Sequence, residues 1–142
     1  MTIEPLTKWW HLEHSIRMAR ECLPDQTEGI REELLHPDAS YWVALVNGGV
    51  KGFAGIKKSG INRHVFEFPW CVVHPDYRGQ QIGRALTETR IAEARRRGAK
   101  IILLSTPVPT IYERYGFRMA LDIPGAWASH LMVLKLEQRS SD

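Results

Sequence analysis

The chain changes its hydrophobic period abruptly on either side of one glycine-bearing segment, residues 74–84. Before this segment, Val65 to Val73 is a β-prone run. After it, apolar and small residues recur at helical spacing up to Gly98, which suits a helix C-cap. The residues on this helical face are Ile82, Ala85, Leu86, Thr89 and Ala92. A strand, a loop and a long helix in this order anchor the prediction of an α/β fold.

Two helices are predicted near the N-terminus. Trp9 to Arg20 has helical periodicity, and Pro24 ends the pattern. The residues expected on its apolar face are Trp9, Leu12, Ile16, Ala19 and Leu23. Thr27 is the candidate N-cap of a second short helix that runs through Leu35, because its hydroxyl can accept from first-turn amides.

Three antiparallel strands should follow. Residues 41–46 and 50–56 flank Asn47-Gly48, the dipeptide that best tolerates the positive φ angles of a type I′ turn. Pro69 lacks an amide for the sheet, so the third strand, 65–73, is expected to be kinked or splayed from its neighbour.

The C-terminal part returns to the sheet. The predicted elements are a buried strand at 101–104, a short helix at 109–115, a return strand after Gly116 and a final strand at 130–136. The order predicts one domain, residues 1–142, built as an α/β sandwich around a mixed sheet, with a frayed tail at 138–142.

The loop itself suggests anion binding. A glycine-bearing loop that opens a helix directs several amides one way, and the helix dipole favours a phosphate there. Arg78 and Arg84 could add charge-assisted bonds. Walker A and dinucleotide motifs are excluded, because the first needs Lys-Ser/Thr and the second three glycines. The plainer alternative is that Gly79 and Gly83 only shape the turn.

Composition and residue spacing argue against several other classes of protein. Cys22 and Cys71 are far apart and form no metal-ligand cluster, so no metal, no disulfide framework and a reducing, cytoplasmic setting are expected. No apolar stretch is long enough for a membrane span. The basic residues Arg84, Arg90 and Arg95 to Arg97 are interpreted as a solvated helix face rather than a polyanion site, so nucleic acid is a disfavoured partner.

Several segments resemble the GNAT superfamily of acetyltransferases. Val73-His74-Pro75 and Arg78 to Gly83 follow the signature V-x-P and [Q/R]-x-x-G-x-[G/A], and Ile111 to Phe117 is similar to the Y-E-x-x-G-F segment. The ending Met132 to Leu136 resembles the closing strand. Gln81 departs from the family by replacing the first glycine of the signature, which places a β-carbon beside the expected pyrophosphate site.

The asparagine that often follows the buried strand in the family is also missing from Leu104 to Pro107. The resemblance implies a mixed, mostly antiparallel sheet flanked by helices, with a splayed central strand pair that receives the pantetheine arm of acetyl-CoA. The cofactor residues it implies are Cys71, Val73, Arg78, Gly79, Gln80, Gln81, Ile82, Gly83 and Arg84. Among them, Val73 would direct its amide at the acetyl carbonyl, and Cys71 would line the groove or serve only as a core residue.

Two residues are assigned chemical roles through the same resemblance. Tyr112 is the candidate general acid near the cofactor sulfur, with a structural tyrosine as the alternative. Glu67 is the candidate general base, although a bulge at Pro69 would change the face it occupies. The lesser candidates are His64, His74 and His130.

The acceptor is less constrained. Trp9 and Trp42 are expected in the core, whereas Trp10 could help to form an acceptor pocket. The resemblance implies direct acetyl transfer to a primary amine on a small molecule, peptide or protein. A non-catalytic acyl-CoA-binding module is the alternative, and a homodimer is left open.

Overall fold

The computed structural model describes residues 1–137, so the predicted tail at 138–142 lies outside the described residues. The strands are β1 (Thr2–Pro5), β2 (Ala39–Val46), β3 (Gly49–Lys58), β4 (Val65–Glu67), β5 (Cys71–Val73), β6 (Ile101–Thr106), β7 (Arg118–Asp122) and β8 (His130–Lys135). The helices are α1 (Trp9–Cys22), α2 (Thr27–Leu34), α3 (Ile82–Arg96) and α4 (Pro109–Glu113).

One mixed sheet contains all of these strands. Its order is β1-β2-β3-β4-β6-β8-β7, and β5 pairs only with β3. The β4–β6 pair is parallel and the other pairs are antiparallel. The predicted fold class is therefore confirmed. Strand β1 was not predicted, because it is a short edge strand with little apolar alternation.

The predicted strand 65–73 is two strands. The chain changes sheet partner at Pro69, which has no amide to donate: Phe68 N donates to Leu103 O of β6 (2.8 Å), whereas Trp70 O accepts from Gly55 N of β3 (3.2 Å). Strand β4 stays in the middle of the sheet between β3 and β6, whereas β5 follows β3 alone. The splayed pair is thus confirmed, and the opening lies between β5 and the end of β6.

The sheet carries a core on each face. One face packs against α3 and α4 and buries Ala54, Ile56, Phe66, Phe68, Ile82, Leu86 and Phe117. The other packs against α1 and α2 and buries Met18, Ile30, Tyr41, Val43, Phe53 and Val72. We call these the α3 face and the α1 face. Trp42 is buried in the α3-face core, as predicted.

The predicted apolar face of α1 is confirmed at four residues that pack in the α1-face core and is wrong at Trp9; the four are Leu12, Ile16, Ala19 and Leu23. Trp9 is 75% exposed, while Trp10 packs against the α1-face core. The fully buried side is partly polar, since His11 Nδ1 accepts from the amides of Thr7 and Lys8 and Ser15 donates to the His11 carbonyl. Local hydrogen bonds make these polar residues fit for burial, which apolar periodicity alone does not reveal.

The predicted cap of α2 was also wrong. Thr27 is the first helical residue rather than the N-cap. Its hydroxyl donates backwards to the carbonyls of Leu23 (3.3 Å) and Pro24 (3.1 Å) instead of accepting from amides ahead of it. A 3-10 turn at Pro24–Gln26 leads directly into the helix, which places Thr27 inside the helical backbone.

Candidate active site

The opening beside β5 exposes backbone groups to a potential ligand. Gly55 N donates to Trp70 O (3.2 Å), His74 N donates to Lys51 O (2.8 Å), and Val72 lies opposite Phe53. Hydrogen-bonding direction alternates along a strand, so the backbone groups of the intervening residues, 71 and 73, point away from β3. Within residues 1–137, no strand pairs with this edge of β5. The edge can accept an extended ligand.

The side chains of β5 have a consistent orientation. Cys71 and Val73 are half-buried and pack on the α3-face core, whereas Val72 belongs to the α1-face core. Cys71 therefore lines the α3 side of the opening, beside hydrophobic neighbours. Val73 places its amide at the open edge and its side chain toward α3.

The loop that follows β5 ends in the N-terminus of α3. After a 3-10 turn at Pro75–Tyr77, Gly79 has a φ of +81° and Gln81 a φ of +68°. The first backbone bond into the helix runs from Ala85 N to Gln81 O (3.0 Å). The amides of Ile82, Gly83 and Arg84 therefore belong to the first turn, which leaves them available to an anion.

Gln81 shows why a glycine suits its position. The backbone is left-handed there, a conformation that side chains other than Asn or Asp adopt at a cost. Gly83, by contrast, lies in the helix, and a β-carbon there would meet only Val73 Cγ2 at 3.9 Å. The departure from the signature therefore falls on a conformationally demanding position, whereas Gly83 leaves space at the helix start.

The remaining loop residues are solvent-facing except Ile82. Arg78, Gly79, Gln80 and Gln81 are exposed, while Ile82 is 2% exposed and anchors the helix in the core. Arg84 Nε donates to Glu88 (2.8 Å), so part of its charge is already paired. Lys51 Nζ lies 5.0 Å from the centre of the Tyr77 ring and brings a further cation to this region that sequence reasoning missed.

Tyr112 lies on the α3 face near the opening. Its ring packs on that core and meets Phe117 edge-on, with centroids 5.8 Å apart. Burial is the largest cause raising the pKa of Tyr112, and proximity to Cys71 raises it further. The positive charge of Arg90 acts in the opposite direction. The hydroxyl is thus held neutral at physiological pH, as a proton donor must be.

Glu67 lies on the other face of the sheet. Its neighbours Phe66 and Phe68 point to the α3 face, and its cross-strand partner Lys57 bonds to Glu33 of α2 (3.0 Å). Strand alternation alone would put residues 67 and 73 on the same face, but the break at residues 68–70 reverses the parity. Glu67 therefore faces α2, and Val73 packs toward α3.

The histidine candidates have local partners. His74 accepts from the Asp76 amide (3.1 Å), and His130 Nδ1 lies 3.0 Å from Asp122 Oδ1. His64 Nδ1 lies 3.3 Å from the Gly98 carbonyl, at the end of α3 remote from the loop. Trp10 stacks edge-on against His11 and His14 on α1. Of these residues, His74 directly follows β5 and His130 lies opposite Thr106 at the end of β6.

The prediction of a solvated arginine face on α3 is wrong at Arg90. Arg84, Arg96 and Arg97 are exposed or near the surface and pair with glutamates of α3, but Arg90 is 0% exposed. It follows Ile82 and Leu86 at intervals of one helical turn, so the periodicity did contain the signal for its burial.

Three further observations concern the rest of the described chain. A surface cavity of about 470 Å³ lies by Lys58, Arg63 and Arg97, at the end of α3 away from the loop. Across the described part of the chain, no set of three or more His, Cys, Asp or Glu side chains is arranged to hold a metal ion. In residues 1–137, each helix is too short or too polar to cross a bilayer.

Known proteins with similar sequences agree with this architecture. The family described as "Acetyltransferase (GNAT) domain" matches residues 37–119, more than half of the chain. The aminoalkylphosphonate N-acetyltransferase of Salmonella typhimurium is 33% identical over 101 residues, 66% of each protein. The probable N-acetyltransferase family 8 member 5 of Mus musculus is 31% identical over 106 residues, 69% of this chain and 47% of that protein. The chain thus spans about half to two thirds of these relatives.

The fold has close structural relatives. An aminoglycoside 6'-N-acetyltransferase complexed with coenzyme A superposes with a TM-score of 0.82 at 20% identity, covering 99% of this chain and 100% of the other. An identity this low supports the fold and not the substrate. With the family match over residues 37–119, these findings show that the chain belongs to the GNAT acetyltransferase family.

Proposed function

We propose that this chain is an acetyl-CoA-dependent N-acetyltransferase that moves the acetyl group directly to a primary amine. The observation that carries the proposal is the open edge of β5, a strand that leads into the N-terminus of α3 and packs, like Tyr112, on the α3-face core. Such a site would combine a phosphate-binding helix start, an edge for an extended ligand and a neutral proton donor.

Acetyl-CoA would supply the activated acetyl thioester. The amides of Ile82, Gly83 and Arg84 suit its pyrophosphate, and Arg78 is free to approach from the loop. The outward backbone groups of Cys71 and Val73 suit the amides of the pantetheine arm, as one strand suits another. Each interaction uses a donor or acceptor that the fold leaves available.

Two groups of the chain would assist the transfer. The Val73 amide would donate to the acetyl oxygen, where negative charge grows as the amine attacks; one such donor is typically worth about 3 kcal/mol. The amine nitrogen bonds to the acetyl carbon and loses a proton, while the carbon–sulfur bond breaks and the sulfur gains a proton. Tyr112 would give that proton, and solvent would restore it.

Glu67 supports approach of the acceptor from the opposite face. The carboxylate lies on the α1 face, whereas Tyr112 and Cys71 lie on the α3 face. A base on one side and an acid on the other suit a reaction in which the amine enters as the thiol leaves. We therefore assign Glu67 as the residue that accepts the amine proton, directly or through water.

The acceptor is a primary amine on a small molecule, peptide or protein. The aminoalkylphosphonate and aminoglycoside enzymes among the relatives are named for small molecules that carry amino groups. Release of free thiol from acetyl-CoA, measured with a panel of phosphonate, sugar, polyamine and peptide amines, tests the class. Turnover on at least one panel amine is expected.

The decisive variant is Tyr112→Phe, which removes one hydroxyl and keeps the ring against Phe117. We expect kcat to fall about 10²-fold to 10⁴-fold while the Kd for acetyl-CoA stays within about threefold. Tyr115→Phe is the matched control from the same segment and should retain activity. Full activity of Tyr112→Phe would remove its role. Tight acetyl-CoA binding without turnover on any amine would favour a non-catalytic acyl-CoA-binding module.

A further inference from the structure

Two tryptophans from distant parts of the chain stack on each other at the break between β4 and β5. The ring centroids of Trp70 and Trp127 lie 6.2 Å apart, with an interplanar angle of 29°. Trp70 is half-buried and packs against the α1-face core, whereas Trp127 is 59% exposed. The pair, which we call the tryptophan wall, therefore has one anchored ring and one ring that leaves aromatic surface open to a ligand.

The loop between β7 and β8 holds the exposed ring in place. Ile123 N donates to Ser129 O (2.7 Å), which closes the neck of the loop. Ala126 N donates back to Ile123 O (3.3 Å) in a turn that Trp127 follows directly. Residues 123–129 contain no charged side chain. The loop thus presents an uncharged aromatic surface at a defined position.

Strand register places Trp70 beside Glu67, the proposed base. Both residues lie opposite β3: Glu67 is the cross-strand partner of Lys57, and Trp70 O accepts from Gly55 N (3.2 Å). Gly55 and Lys57 are two positions apart on one strand, so their partners are separated by about 7 Å along it. Glu67 faces α2 and Trp70 packs on the α1-face core, so both side chains lie on the same face of the sheet.

The charges beside the tryptophan wall favour a cation. Lys57 Nζ bonds to Glu33 Oε1 (3.0 Å), and Glu67 lies opposite Lys57 on the neighbouring strand. These three side chains together carry one net negative formal charge, since two carboxylates accompany one ammonium. Aromatic faces also attract cations, and those of tryptophan do so most strongly. A positively charged ligand group therefore suits both the carboxylates and the wall, whereas an anionic one suits neither.

We propose that this chain acetylates a diamine or polyamine, with the reacting amine at Glu67 and a second, protonated nitrogen on the wall formed by Trp70 and Trp127. This inference rests on the proposed function and names the substrate class of the same site. The reacting nitrogen must lose its proton before it attacks, so an acceptor with one amine has no charge left for the wall to bind. The second nitrogen keeps its proton throughout, and its attraction to the indole rings holds the acceptor equally before and during transfer.

The test compares diaminopentane with pentylamine, which has the same carbon chain but lacks the second nitrogen. Wild type should have a KM for diaminopentane about threefold to thirtyfold below that for pentylamine, as expected for one cation on aromatic rings. Trp127→Ala should remove most of this difference and leave kcat within about threefold, because the lost contact is made equally in the ground state and the transition state. Trp9→Ala is the matched control, since Trp9 is also exposed (75%) but lies in the first turn of α1, and it should behave like wild type.

Two further variants separate recognition of charge from apolar contact. Trp127→Phe keeps an aromatic face and should retain part of the preference for diaminopentane, whereas Trp127→Leu keeps only apolar surface and should lose it. Equal KM values for the two amines in wild type, or an equal rise of both in Trp127→Ala, would overturn the proposal. A lower KM for the anionic acceptor aminoethylphosphonate than for diaminopentane would overturn it too. All three variants should fold, because Trp127 is mostly exposed, and their melting temperatures check this.

A binding measurement separates this inference from the proposed function. Calorimetric titration of diaminopentane into protein saturated with coenzyme A needs no turnover, and the Kd should rise about threefold to thirtyfold in Trp127→Ala. If wild type acetylates no amine but binds diaminopentane through Trp127, the proposed transferase function fails and the cation site is supported. Acetylation of other amines, with no preference for diaminopentane and no effect of Trp127→Ala, would refute only this inference.

Discussion

The α3 face and the α1 face meet at the broken strand near Pro69, yet they are built in different ways. On the α3 face, the loop, the first turn of α3 and Val73 come from one run of residues, 73–84. On the α1 face, Glu67, Tyr41 and Trp70 come from separate strands and the break itself. The contiguous segment on the α3 face fixes the positions of backbone amides, which suits a ligand shared by a whole family. The residues on the α1 face come from separate elements, so each side chain there can be substituted independently.

Buried polar atoms occur on both faces. On the α1 face, Tyr41 Oη and Glu33 Oε2 are buried without a hydrogen-bond partner in the described part of the chain. On the α3 face, Arg90 donates to Thr87 and to the Gly55 carbonyl, but its Nε is likewise buried without a partner there. Both faces therefore hold unsatisfied polar atoms, but the α3 face buries a whole guanidinium.

The largest difference in acetyl-CoA affinity should be found between two variants that each place a negative charge at the start of a helix, one on each face. Gly83→Asp adds a carboxylate beside the proposed pyrophosphate site. Two like charges about 6 Å apart repel by about 2.8 kcal/mol at an effective dielectric constant of about 20, so affinity for acetyl-CoA should fall about 100-fold. Titration calorimetry measures this loss.

Gly29→Asp is the matched control, because Gly29 lies exposed in the first turn of α2 on the other face. Both variants should fold at least as stably as wild type, since acidic groups suit helix N-termini by about 0.3–1 kcal/mol. Equal acetyl-CoA affinity in the two variants would show that the α3 terminus does not hold the phosphates.

A smaller effect is expected from Tyr41→Phe, which removes the partnerless hydroxyl and keeps the ring over Gly55. Stability should hold or rise by about 1 kcal/mol, and acetyl-CoA affinity should not change. Urea unfolding and calorimetry give these two values. A loss of more than about 2 kcal/mol would mean that the hydroxyl is satisfied in solution.

The stability of the folded protein should also depend on pH through Tyr41. Burial raises the pKa of Tyr41 far above its ordinary value of about 10, so folding favours the neutral phenol. This contribution is fully present below about pH 10 and is lost as pH rises toward the folded-state pKa. Wild type should therefore lose more stability than Tyr41→Phe between about pH 9 and pH 12.

The smallest effect is expected at the left-handed residue of the loop. Gln81→Gly removes a cost of about 1–2 kcal/mol and adds a chain-entropy cost of up to about 1 kcal/mol, so stability should rise slightly at most. Acetyl-CoA affinity should hold or improve less than tenfold. Thermal unfolding and calorimetry measure both quantities.

Asn47→Gly is the matched variant, because Asn47 also has a positive φ, +51°, but lies in the β2–β3 turn. Asn tolerates this backbone better than Gln, so its gain should be smaller. A large loss of cofactor affinity in Gln81→Gly, with none in Asn47→Gly, would show that the glutamine side chain itself contacts the cofactor.

The sequence predicted best what depends on neighbouring residues. The Asn47-Gly48 turn, the glycine after α3 and the broken strand at Pro69 follow from local backbone preferences, and each is found. The loop and helix of the cofactor region form one contiguous segment, so a motif could identify them. The catalytic roles of Tyr112 and Glu67 stay predictions that the proposed variants test.

What the sequence did not predict depends on contacts between distant residues. The face of Glu67 depends on how many residues the break absorbs, and the burial of His11 depends on amides of Thr7 and Lys8 that only the folded turn presents. Arg90 was placed on a solvated face because runs of charged residues are usually solvated, although its helical position matched Ile82 and Leu86. Residue type outweighed periodicity in that prediction.

The break between β4 and β5 also limits how this chain can vary. Removing or adding a single residue within 68–70 would turn Cys71 and Val73 to the opposite side of the sheet, with the loop and α3 following them. Replacing a side chain in the same segment has no such effect on parity. The length of this short segment is therefore under stronger constraint than its composition, and homologous chains can be aligned through it by spacing where identity fails.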